Sequence, residues 1–173
     1  LMATNLEFIQ SYSGTDITSL DVTSCFSAEY EVYYITVSLD TDNLGYFEII
    51  LLDSGGSSIV GSNYDIAVLE MKSHASFGQY SFTGQAEGVG WRNIGAYNDD
   101  GDGYGFSGKI YNPFDSSSFT TITAQSASTV GSNFHGNKAI GVHKQSVAAH
   151  GFKIKDSSVS TYNYIECSVY GVR

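Results

Sequence analysis

The stretch Glu31 to Leu39, EVYYITVSL, alternates without a break. Tyr33, Ile35, Val37 and Leu39 fall on one side of an extended chain, and Tyr34, Thr36 and Ser38 on the other. A period of two marks a half-buried β-strand, because a slip of one residue would turn the whole apolar set to solvent. GYFEIILL repeats the pattern, with Phe47, Ile49 and Leu51 against Tyr46, Glu48 and Ile50. Asp40 to Asn43 and Gly45 supply turn residues between the two runs, so the pair reads as a hairpin. Near the end, YIECSVYGV sets Ile165, Cys167 and Val169 against Glu166, Ser168 and Tyr170. Before it, GFKIK sets Phe152 and Ile154 against Lys153 and Lys155, and DSSVS joins the two.

Shorter candidate strands run Leu6 to Ile9, Ile17 to Phe26, Ile66 to Met71, Tyr80 to Thr83, Val89 to Ile94, Phe106 to Tyr111, Phe119 to Ala124 and Ala139 to Val142. No segment keeps apolar residues at i, i+3, i+4 and i+7 over three turns. YDIAVLEMKSHASF comes closest to a helix, but it is short and β-branched residues interrupt it. Many short strands separated by glycine-rich turns describe an all-β chain, a sandwich or barrel. No linker, repeat or low-complexity tract divides residues 1–173, so one domain is expected.

Composition agrees and narrows the function. The 13 tyrosines, 10 phenylalanines and 19 glycines with a single proline suit strands and tight turns. Charged residues make up 15%, below the usual quarter, so Ser, Thr, Asn and Gln must supply much of the surface polarity. The net charge is −10, and the eight basic residues form no stripe, which argues against nucleic acid as a partner. The longest apolar run, Ile49 to Leu52, is far too short to insert in a membrane. The start LMATNLEFIQ has no leader pattern, so a soluble protein made in a cytoplasm is expected. Cys25 and Cys167 stand far apart in the chain and read as two buried thiols, with a bridge between them as the other possibility.

Three stretches invite a chemical reading. In AYNDDGDGYGFSG, Asn98, Asp100 and Asp102 with Gly103 match the first half of a calcium loop, where oxygen ligands alternate before a sharp turn. The bidentate glutamate that should close such a loop is replaced by Lys109, so Ala96 to Gly105 reads as an exposed turn without a tightly bound metal. His135, His143 and His150 fall close together in sequence, with His74 distant. Their spacing fits no zinc pattern, and the Gly, Asn and Lys around them suggest surface loops. EGVGWRN lacks the third glycine of a dinucleotide fingerprint. Trp91 beside Arg92 offers a stacking platform for a sugar, an interface anchor, or a strand-edge aromatic half buried in the core. No GxSxG, HExxH or Cys–His arrangement is present, so neither catalytic residues nor a cofactor are assigned.

The order of segments resembles a family of small β-sandwich virion proteins of tailed bacteriophages, especially marine ones. LEFIQS, then TSLDVTSCFSAEYEVYYITVSLDTDN, then FEIILLDSGGSSIVGSNYDIA look like the opening of that family. The pieces that carry the likeness most specifically are Ser107-Gly108 to Asn112-Pro113 and the closing Ser168-Val169-Tyr170-Gly171. The resemblance spans nearly the whole chain. It implies a single antiparallel β-sandwich of jelly-roll-like form. It also implies a non-enzymatic role on the virion, assembled in the host cytoplasm, as a tail-fibre, receptor-binding or capsid-decoration component. The expected partners are then other virion proteins and further copies of the chain, with a host surface glycan as a third. In the family the aspartate-rich loop is a variable hairpin tip. The alternative is a carbohydrate-binding, lectin-like module, calcium-dependent if the loop binds metal, using Trp91 and exposed tyrosines.

Overall fold

The fold is taken from a computed structural model that describes residues 5–41, 45, 47–84, 90–95, 104–130, 132–156 and 161–173. Among these residues there are twelve strands and no helix: β1 (Leu6–Gly14), β2 (Ser19–Val22), β3 (Val32–Asp40), β4 (Phe47–Leu52), β5 (Tyr64–Lys72), β6 (Gly78–Phe82), β7 (Trp91–Arg92), β8 (Tyr104–Tyr111), β9 (Thr120–Val130), β10 (Asn133–His143), β11 (Gly151–Asp156) and β12 (Tyr164–Val172). They form two sheets, one of eight strands in the order β1-β12-β3-β8-β9-β10-β5-β6 and one of four in the order β2-β11-β4-β7. Every pairing is antiparallel. The chain is thus the all-β antiparallel sandwich expected from its alternation.

The core is the space between the sheets. The large sheet fills it with Tyr33, Ile35, Val37 and Leu39 from β3 and with Phe106 and Ile110 from β8. The small sheet fills it with Phe47, Ile49, Phe152 and Ile154. Phe47 stacks on Tyr104 at 5.2 Å and meets Phe106 at 4.9 Å, so the two sheets are joined by rings. Ile165, Cys167 and Val169 are buried as their alternation demands. Cys25 and Cys167 are both buried free thiols.

Several expectations need correcting. The stretches around β3 and β4 do not form a hairpin. β3 has β12 on one side and β8 on the other, so it has no free edge, and β4 lies in the small sheet between β11 and β7. The link after Asp40 changes sheets. β4 is also buried on both faces, Glu48, Ile50 and Leu52 included, so its alternation was only apparent. The link between β11 and β12 changes sheets in the same way. The near-helical stretch from Tyr64 is β5, whose inward residues Tyr64, Ile66 and Val68 are buried while Ala67 and Leu69 are exposed. β10 is much longer than its apolar residues suggested, and it places His135 and His143 inside a strand rather than in loops.

Candidate functional site

The large sheet turns its second face to solvent, and its register lays that face out in rows. One row crosses all eight strands: Phe8, Tyr170, Tyr34, Lys109, Thr123, Ile140, Ala67 and Ser81. The next row, two residues along each strand, contains Thr36, Ser107, Gln125, Lys138, Leu69 and Gln79. Cross-strand neighbours in such rows are close enough to bind one ligand together.

On this face lies an open groove of about 900 Å³, with a lining that runs from Tyr34 on β3 to Gln79 and Ser81 on β6. Its aromatic contribution is Tyr34, Tyr80 and Tyr111, and its amides are Gln79 and Gln125. Ser107 and Thr123 supply hydroxyls, and Lys109 and Lys138 supply ammonium groups. Leu69 and Ile140, which are 45% and 62% exposed, add apolar surface that no part of the described chain covers. The Tyr111 hydroxyl lies 3.4 Å from the Thr123 hydroxyl across the β8–β9 pair. Beyond the groove the aromatic row continues: Tyr34 meets Tyr170 at 6.2 Å, and Tyr170 meets Phe8 edge-on at 5.6 Å.

The groove rests on a fixed floor. Behind it, the Asn137 side-chain amide donates to the Tyr80 hydroxyl at 3.1 Å and to the Gly95 carbonyl at 2.9 Å. The Tyr80 hydroxyl in turn donates to the Asn93 carbonyl at 3.2 Å. These bonds tie β6, at the sheet's edge, to the segment after β7. Ligand-facing residues carried by paired strands are held more closely than residues on loops.

The residues singled out from the sequence lie elsewhere. Trp91 has none of its surface exposed and packs edge-on against Tyr64 at 5.5 Å, so its ring is a core element and not a stacking platform. Gly141 makes room for it, since a Cβ there would stand 2.7 Å from Trp91 Cδ1. Arg92 instead reaches Glu48 at 3.5 Å, and Lys155 approaches the same carboxylate from the other side at 3.4 Å. Glu48 is almost fully buried. Loss of water pushes its carboxyl above the ordinary range, against the pull of Lys155 and Arg92. Asn98, Asp100 and Asp102 fall outside the described residues.

The histidines do not converge. His135 stacks on His74 at 5.3 Å, and His143 is fully buried at the opposite end of β10 against Tyr64 at 4.5 Å. Eight residues of strand hold the two roughly 27 Å apart. His150 meets Phe114 edge-on at 4.8 Å. Among the described residues no three His, Cys, Asp or Glu side chains gather as metal ligands would.

Sequence reasoning missed the groove because its residues are ordinary outward members of alternating strands. Only the register of six strands brings them together. The groove offers stacking faces, hydrogen-bond donors and two cations. None of the described side chains that line it is a carboxylate.

No family model and no curated protein matches the sequence. Among solved structures, the chain is similar to the galectin LEC-6 of Caenorhabditis elegans, at 13% identity over 98% of this chain and 96% of that one, with a TM-score of 0.35. It is also similar to a marine alginate lyase of Aplysia kurodai, at 10% identity over 88% of this chain and 73% of that one, with a TM-score of 0.35. At these values the likeness says nothing about what this chain binds.

Proposed function

We propose that the chain is a non-enzymatic attachment component of a tailed-phage virion, which recognises a host surface glycan through the groove on its large sheet. The observation that carries the reading is the groove itself. Tyrosines, amides, hydroxyls and uncovered apolar side chains line a single open trough on rigid strands. Sugars present the matching chemistry, with C–H faces that pack on aromatic rings and hydroxyls that exchange hydrogen bonds with amides. The virion part of the reading is supported by the segments that resemble phage virion proteins, from LEFIQS to SVYG.

Assembly through repeated contacts belongs to the same proposal. Among the described residues β1 pairs only with β12, which leaves it at the edge of the large sheet, and its Leu6 and Phe8 are 44% and 58% exposed. An open edge with apolar side chains is a ready surface for another copy or another virion protein.

The test is a binding screen of the purified chain against immobilised bacterial surface polysaccharides, run beside a Tyr34→Ala variant. The proposal expects binding that the variant weakens by at least about tenfold, the equivalent of ~1.4 kcal/mol. Binding to no polysaccharide, or binding indifferent to Tyr34, would contradict it.

A further inference from the structure

The charges of the groove are set apart from those of the rest of the molecule. Six of the eight basic side chains stand in an ion pair: Lys72 with Glu70, Arg92 and Lys155 with Glu48, Lys144 with Asp65, Lys153 with Asp21, and Arg173 with Glu7 and Glu29. The remaining two are Lys109 and Lys138. Both are exposed, both line the groove, and among the described residues neither meets a carboxylate. Among the described residues the lining contains no acidic side chain. Asp65, the carboxylate that β5 turns to this face, is already held by Lys144 at 2.8 Å.

In a chain of net charge −10, the described lining of this trough carries two cations that meet no described carboxylate, and no anion. We infer that the glycan held in this groove is acidic: a linear polysaccharide carrying carboxylate or sulfate groups. The inference rests on the glycan reading of the groove and narrows it. The spacing of the two lysines supports a polymer rather than a lone ion. Lys109 is on β8 and Lys138 on β10, with Thr123 and Gln125 of β9 between them. Two strand spacings across and two residues along put their Cα atoms roughly 12 Å apart. That is the scale of two sugar residues, so each ammonium group can meet the acidic group of a different residue of one chain. Gln125, Thr123 and Ser107 lie between them to take the neutral hydroxyls. The surrounding negative charge repels anions from the rest of the surface, so such a ligand is favoured in the groove and nowhere else.

The experiment is equilibrium binding of the full chain to three soluble polymers: alginate, dextran sulfate and uncharged dextran. Lys109→Gln, Lys138→Gln and the double variant are measured beside it. Lys153→Gln, on the small sheet, makes the same change of charge away from the groove. The inference expects alginate or dextran sulfate to bind more tightly than dextran, with affinity that falls as salt rises. The double variant should lose about tenfold or more in that affinity while Lys153→Gln loses little. Tight binding of dextran that ignores both lysines would overturn the acidic assignment and leave the glycan reading in place. Binding of the acidic polymers that Lys153→Gln weakens as much as the groove variants would also overturn it, since charge alone would then account for it. Failure to bind any of the three, joined to failure in the surface-polysaccharide screen, would overturn both readings.

Discussion

The indole of Trp91 lies against the bare Cα of Gly141, so closely that a methyl group there would stand 2.7 Å from Trp91 Cδ1 and 2.9 Å from Ile122 Cγ2. Trp91 belongs to the small sheet and Gly141 to the large one, so the largest side chain of the core is seated by an absent one across the sandwich. Gly141→Ala forces a shift of the ring, of Ile122 or of the strand. The expected cost is about 1–3 kcal/mol of stability by denaturant unfolding. A variant as stable as the parent would show that the ring has room to move.

Phe47 joins the same two layers by its ring contacts with Tyr104 and Phe106 and has no exposed surface. Phe47→Ala should lower stability by about 3–5 kcal/mol in the same measurement. An unchanged thermal midpoint would refute this face assignment for β4.

How much of this was legible in the sequence differs from strand to strand. β3 and β12 announced themselves because each has one polar face, and the residues assigned to the core there, from Ile35 to Val169, are buried. β10 was mostly hidden, since Asn133, His135, Gly136, Asn137 and Lys138 carry no apolar period. Its place is fixed by pairing with β9 and β5 on both sides. Alternation identifies a strand but not its partner, and so β3 and β4 looked like a hairpin although they lie in different sheets. Trp91 was singled out as aromatic beside a cation, but local sequence does not reveal a glycine 50 positions away that makes its burial possible. The groove was the least legible feature, because Ser107, Gln125 and Lys138 are unremarkable until the register aligns them.

The buried imidazole of His143 gives the chain a stability that depends on pH. Loss of water lowers its folded value below the ordinary 6.5, and among the described residues neither ring nitrogen has a hydrogen-bond partner. The unfolded chain therefore binds the proton more readily than the folded one. The contribution is fully present above pH 6.5 and is lost as pH falls through the lowered folded value. Urea unfolding at a series of pH values from neutral downward should show declining stability, and His143→Phe should flatten that decline. Parallel curves for the two proteins would exclude His143 as its source.

The thiols are expected to be inert in the folded state. Burial pushes Cys167 up to about 12 and Cys25 higher still, and Cys25 Sγ donates weakly to the Val22 carbonyl at 3.8 Å. A thiol-reactive chromogenic disulfide should titrate neither cysteine at neutral pH and should titrate both after denaturation. Rapid labelling of the native chain would mean that this end of the core opens readily.

The central claim is that ligand lies on the outer face of the large sheet, and mapping where ligand touches is its most direct test. Backbone amide shifts of the labelled chain, followed by NMR while alginate oligosaccharide is added, report every strand at once. Perturbations should concentrate on β8, β9 and β10, reach Tyr34 on β3, and leave β2 and β11 of the small sheet unmoved. Saturable shifts confined to the small sheet or to loops away from Lys109 and Lys138 would contradict it.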